Sequence, residues 1–174
     1  MKKIKILGVF IIFILSIGSH FIYELIPNNI FSILFPVNES IWEHMKLLVT
    51  PVLIFSLLEY CIYRKKDINF NNFILSYSIS IIIGIISYLV LYLPIHYIFG
   101  HSPVYAIILL FVIFIFIEIV SYYIMSYNKI KNSNIIGVTV IIIIYIIVGY
   151  LTYYPLENDL FIDSQTNTYG IEKE

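Results

Sequence analysis

Five long apolar runs, broken only by scattered charges, limit what this chain can fold into. They lie at about residues 4–26, 41–63, 73–93, 104–127 and 135–154. Each has roughly the 20 residues needed to cross about 30 Å of hydrocarbon. The runs are continuous and do not alternate. Because lipid-facing backbone must satisfy its own hydrogen bonds, they are expected to be helices and not barrel strands. The predicted fold class is therefore all-α: a polytopic membrane protein with five transmembrane helices. Composition excludes the other classes. The chain is 60% apolar and 12% charged, against about 25% charged in soluble domains. A soluble enzyme, a disordered tail and a nucleic-acid binder are ruled out. One cysteine excludes a disulfide scaffold and a multi-Cys zinc site. The first partner is the lipid bilayer.

The basic residues set an expected orientation. Lys2, Lys3 and Lys5 precede the first run, Arg64, Lys65 and Lys66 follow the second, and Lys129 and Lys131 follow the fourth. The alternate connections, 27–40 and 94–103, hold no Lys or Arg. By the positive-inside rule the N-terminus is cytoplasmic, the tail after Pro155 is outside, and the chain is a multi-pass protein of the cell membrane. Met1–Ser19 also has the layout of a signal peptide. Apolar residues run on through Ile26, however, so a retained first helix is expected. Two regions follow: residues 1–154 as the transmembrane domain, and 155–174 as an extracytoplasmic tail packing on the outer face. The tail is too apolar for a free coil, and 161–163 with 168–171 suggest a small hairpin.

Ionisable side chains at membrane depth are costly, so each marks a candidate site. His20 and Glu24 share a face near the outer end of the first span. The second span is entered through Pro36-Val37-Asn38-Glu39-Ser40-Ile41-Trp42-Glu43-His44-Met45-Lys46. On a helix Glu39, Glu43 and Lys46 share one face, and Ser40 and His44 an adjacent one. Consecutive helices joined by a short loop are neighbours. The expectation is an outward-facing polar pocket between helices 1 and 2, made of His20, Glu24, Asn38, Glu39, Glu43, His44 and Lys46. Simpler roles compete with it. Ser40 and Glu43 fit a capping box, both acids suit a helix N-terminus, Trp42 suits the interface and Lys46 can snorkel.

His96 and His101 flank the second outer connection, which puts all four histidines on the outer side. Imidazole and carboxylate suit Zn or Fe. No dense His-Glu-x-x-His motif occurs, so the sequence names no metal, cofactor or catalytic residue. Asp163, Gln165, Asn167 and Glu174 have a faint calcium-loop spacing, with Thr168 where the turn glycine belongs. Two buried polar candidates lie toward the inside. Glu59 is expected to pair with Arg64 or to snorkel. Glu118 is expected to hydrogen-bond a neighbouring helix as an acid.

The run from Phe35 to Lys46, together with Leu156, Leu160-Phe161-Ile162-Asp163 and Thr168-Tyr169-Gly170-Ile171, resembles a family of small bacterial integral membrane proteins of unknown function. The resemblance covers the whole chain. It implies the fold and a cytoplasmic-membrane location, and it ties the Asn38–Lys46 run to the tail; it implies no chemistry. Three functions remain open. The first is binding or carrying a small polar ligand, ion or lipid headgroup, with Lys46 neutralising an anionic group while Glu43 and His44 orient it. The second is an accessory or interaction subunit whose polar network is structural. The third is a membrane-embedded enzyme acting on a lipid, with or without a metal, in which His44 is the general base.

Overall fold

The structure, a computed structural model, describes residues 1–100 and 102–171. His101 and Glu174, which entered the metal and calcium readings, lie outside the described residues. Among those described, the helices are α1 (Lys2–His20), α2 (Ile22–Leu25), α3 (Asn29–Leu34), α4 (Ile41–His44), α5 (Lys46–Lys65), α6 (Phe73–Phe99), α7 (Pro103–Ser126) and α8 (Ser133–Tyr153). Five segments are long and apolar enough to span a membrane: Lys2–Leu25, Ile41–Lys65 and the three helices α6, α7 and α8. The first of these joins α1 to α2 across Phe21, and the second joins α4 to α5 across Met45.

Two departures from the sequence expectation have local causes. The third span does not stop before Pro94 but runs to Phe99, ending at Gly100 with φ +78°. Near a helix end, the bond that Pro94 cannot donate is one of few still to be made. The connection between the first two spans is also not bare loop. Asn28 Oδ1 accepts the amides of Ile30 and Phe31 at 3.0 Å each and starts α3. That short helix lies against α8.

The second span is the axis of the bundle. It is 61% buried over its most apolar window, against 28% for the first and the last spans. Leu47, Leu48, Val49, Val52 and Phe55 of α5 are all buried. Around it α1 packs on α5 and α7, α6 packs on α7 and α8, and α8 leans on α6 and α3 rather than on α5. Ile6, Phe10 and Ile14 of α1 and Ile142 and Ile146 of α8 face outward. An apolar belt of this kind suits acyl chains and would be untenable in water.

Lys2, Arg64 and Lys129 lie at one end of the bundle, the basic end, and His20 and His44 lie at the other. At the basic end Asn72, with φ +50°, locks two connections together. Its Nδ2 donates to the carbonyls of Ile124 (3.3 Å) and Asn128 (3.0 Å), and its Oδ1 accepts from the Ile130 amide at 2.8 Å. Near the same end Gly137 lets α8 touch the backbone of α6. A Cβ there would stand 2.5 Å from the Leu75 amide nitrogen. In contrast, nothing lies within 4 Å of a Cβ on Gly18.

Gly137→Ala is accordingly expected to pry α8 from α6 and lower stability by about 1–3 kcal/mol. Gly18→Ala should leave it unchanged or slightly raised. Thermal unfolding of the two variants in the same detergent checks the contrast.

Candidate functional site

At the histidine end the polar residues form two separate groups. His20 closes α1, and the chain returns through α3 to Ser40, which starts α4: its Oγ accepts the Glu43 amide at 3.2 Å. Half of the expected capping box is therefore present. Glu43 does not return the bond, because the Ser40 amide is taken by Asn38 Oδ1 at 3.0 Å. One turn on, His44 Nδ1 sits 2.8 Å from the Ser40 carbonyl. A carbonyl only accepts, so Nδ1 carries the proton, and in the neutral ring the lone pair is on Nε2. That Nε2 lies 3.2 Å from His20 Nε2 and 3.4 Å from Glu39 Oε2, while Glu39 Oε1 lies 3.4 Å from His20 Nε2. One ligand atom from each of the three residues lies within 4.8 Å of the other two. Side-chain exposures of 26% for His20 and Glu39 and 11% for His44 leave the group open on one side. The imidazoles of His20 and then His44, when protonated, hold the Glu39 carboxyl well below the usual carboxylate range.

Glu43 and Lys46 belong to the second group, which faces inward. Lys46 is fully buried, and its Nζ donates to the carbonyls of Ser32 (2.5 Å) and Phe35 (3.2 Å) and to Glu43 Oε2 (2.5 Å). Glu43 Oε2 also accepts the Val37 amide at 3.0 Å, and its Oε1 accepts Thr152 Oγ1 at 2.7 Å. These contacts occupy the three N–H protons of Lys46 and both oxygens of Glu43. The expectation that Lys46 snorkels or greets an anionic ligand is corrected here: three internal acceptors compensate its burial. Glu24 does not join either group. It is exposed and forms no hydrogen bond or ion pair among the described residues.

The tail closes over α4. Trp42 stacks on Phe161 with ring centroids 5.0 Å apart, the Trp42 amide donates to the Leu160 carbonyl at 2.9 Å, and Asn38 Nδ2 donates to the Gly170 carbonyl at 2.9 Å. Asn38 thus holds the tail. A tight turn at 163–168 and one bridge, Ile162 to Tyr169, stand where the hairpin was expected. Gly170 needs both its φ of +65° and its lack of a side chain, since a Cβ would meet the Thr152 carbonyl at 2.9 Å.

Toward the basic end lies an ionic centre that the sequence reading saw only in part. Lys5 Nζ stands 2.9 Å from Glu59 Oε2, 3.0 Å from Glu118 Oε2, 3.1 Å from the Tyr77 hydroxyl and 2.8 Å from Ser121 Oγ. Tyr63 donates to Glu59 Oε1 at 2.7 Å and Tyr77 to Glu59 Oε2 at 2.6 Å. Glu59 therefore pairs with Lys5 and two tyrosines, not with Arg64. Glu118 does reach a neighbouring helix, through the Lys5 ammonium. In the sequence Lys5 stands as one of the flanking charges that orient the chain. A fuller signal was present in its spacing to Gly8, Ile12, Ser16 and Ser19, which are buried on one face of α1 with it. Gly8 makes room for the centre, for a Cβ there would lie 2.5 Å from the Phe55 ring and 3.5 Å from Glu118 Cδ.

Over residues 1–171 the chain matches the family of unknown function DUF6512, and it belongs to that family. Neither a curated protein nor a solved structure matches it.

Two outcomes follow from this geometry. Lys46→Met leaves a buried carboxylate and two carbonyls unpaired, so it should cost about 3–5 kcal/mol in an unfolding titration. The double variant with Glu43→Gln should recover part of that loss. The second outcome concerns acid. A carboxyl with a depressed folded-state value stabilises the fold above its ordinary value, 4.5, and loses that contribution as pH falls below it toward the folded-state value. Glu39→Gln should therefore lower stability most above about pH 4.5 and flatten the acid limb below it, so that variant and parent converge at low pH.

Proposed function

From a family with no attached activity, we propose that this chain is a bacterial plasma-membrane protein that binds a divalent metal ion at its outer face through His20, Glu39 and His44. The ion reading sharpens the broader expectation of a pocket for a small polar ligand between the first two spans. One observation carries it: three lone-pair-bearing groups converge, and the Nδ1–H bond of His44 to the Ser40 carbonyl turns its Nε2 lone pair toward the other two. Such an arrangement repels itself unless a proton or cation lies between. Ligand atoms about 2.0–2.1 Å from a tetrahedral Zn2+ stand about 3.3 Å apart. The separations of 3.2 and 3.4 Å are close to that edge length. Two imidazoles and a carboxylate suit Zn2+, Fe2+ or Mn2+, and the open side leaves a coordination position for water or a second molecule.

In this reading the basic end is cytoplasmic, as the distribution of Lys and Arg supports, and the site faces outward. Residues 1–154 form the membrane domain, and the tail from 155, as described through 171, forms an extracytoplasmic cap seated on α4. Glu43, Lys46, Glu59 and Glu118 serve the scaffold and Asn38 anchors the cap; none of them is a metal ligand.

Titration of the purified protein with Zn2+ tests the proposal. One equivalent should bind and raise the melting temperature. His20→Ala and His44→Ala should each weaken binding on the order of tenfold or more, because two ligands hold the ion less well than three. Glu24→Gln, an exposed change outside the group, should bind as the parent does. Absence of stoichiometric binding of Zn2+, Fe2+ and Mn2+, or binding that His44→Ala leaves intact, overturns it.

A further inference from the structure

A groove at the basic end, far from the histidines, has walls of one chemistry and a mouth of another. Its volume is about 760 Å3, and it is lined by α5, α6, α8 and the connection between α5 and α6. Leu53, Leu57 and Tyr60 of α5 form one wall and Ile141 of α8 belongs to the other, while Arg64 and Lys129 stand at the mouth. Both cations are exposed, and neither forms an ion pair or a side-chain hydrogen bond among the described residues. The two buried lysines are already matched: Lys5 by two carboxylates and Lys46 by Glu43. Arg64 and Lys129 are the unpaired cations that line this groove.

The depth of the groove selects the occupant. From Arg64 to Leu53, α5 rises about 16 Å at 1.5 Å per residue. One leaflet is about half of the 30 Å hydrocarbon layer, or about 15 Å. An anionic head at the mouth would thus be joined to an apolar chain running one leaflet deep. We propose that this groove binds one anionic phospholipid of the leaflet at the basic end, its phosphate held by Arg64 and Lys129 and an acyl chain lying between α5 and α8. The charge at the mouth excludes a neutral amphiphile as the preferred occupant, and the apolar walls exclude a small soluble anion. The seated chain touches Tyr77, which also lines the groove and whose hydroxyl donates to Glu59 at 2.6 Å. The lipid therefore abuts the ionic centre that holds α1, α5, α6 and α7 together.

The full-length protein in a neutral detergent is titrated with phosphatidylglycerol, with phosphatidylcholine and with free glycerol phosphate, and binding is followed by native mass spectrometry and thermal shift. Phosphatidylglycerol should bind in preference to phosphatidylcholine. Arg64→Gln and Lys129→Gln should each weaken it about fivefold and together about 30-fold, at roughly 1 kcal/mol per surface cation. Both positions are exposed, so these variants fold. Ile141→Trp, which fills the groove and leaves both cations, should also weaken binding. Equal binding of the two lipids, or no loss in the double charge variant, overturns the proposal. Loss in the charge variants with full binding in Ile141→Trp also overturns it, by putting the lipid on the surface and not in the groove. Glycerol phosphate competing as well as the lipid overturns the lipid assignment in favour of a soluble anion.

Discussion

A hydrocarbon environment leaves no water to complete the bonds of a buried charge, and this fold is organised around meeting that requirement internally. Two knots do so, one near each end of the bundle. At the histidine end Lys46 and Glu43 gather the carbonyls of Ser32 and Phe35, the Val37 amide and Thr152 of α8. At the basic end Lys5 gathers Glu59, Glu118, Ser121 and Tyr77 from α5, α7 and α6. Both knots include the central second span. Ile-rich helices slide past one another with little penalty in lipid, since every apolar face is as content with acyl chains as with a neighbour. Charges that must meet at one point fix the register that packing alone leaves loose.

The two knots free the remaining polar residues for other work. Once Lys46 and Glu43 are matched by each other, by backbone and by Thr152, His20, Glu39 and His44 keep groups free to bind at that end, and they are partly exposed. Burial and saturation separate scaffold from candidate site more sharply than residue type does. The same separation at the basic end sets Lys5, buried and matched, apart from Arg64 and Lys129 at the rim of a groove.

Much of the fold was legible in the sequence because long apolar runs have one solution in a bilayer. The five helical spans stand within a few residues of where hydropathy put them, apart from the extension beyond Pro94. The site was harder to read. Spacing on a helix tells which residues share a face but not which way the face turns, and Glu39, Glu43 and Lys46 were grouped on that ground alone. In the folded chain Glu39 precedes the first helical turn at Ser40 and swings toward His20, whereas Glu43 and Lys46 turn inward. Lys5 was hidden by its neighbours: beside Lys2 and Lys3 it looks like one more interfacial charge. Only the small and polar residues in step with it, Gly8, Ser16 and Ser19, mark its face as buried. Glu59 and Arg64 looked like partners because they lie close in sequence, yet a carboxylate within a bundle is better matched by a long-range ammonium and two phenols than by a mobile side chain at the rim.

Trp42 is the chain's one tryptophan, and it stacks face to face on Phe161 of the tail, two residues from the imidazole of His44. Its fluorescence therefore comes from one spot, with no second indole to blur it. A natural emission reporter sits at the seam between cap and helix, and lifting of the cap or a change at the neighbouring histidines registers there as a shift in colour or quenching, without any dye.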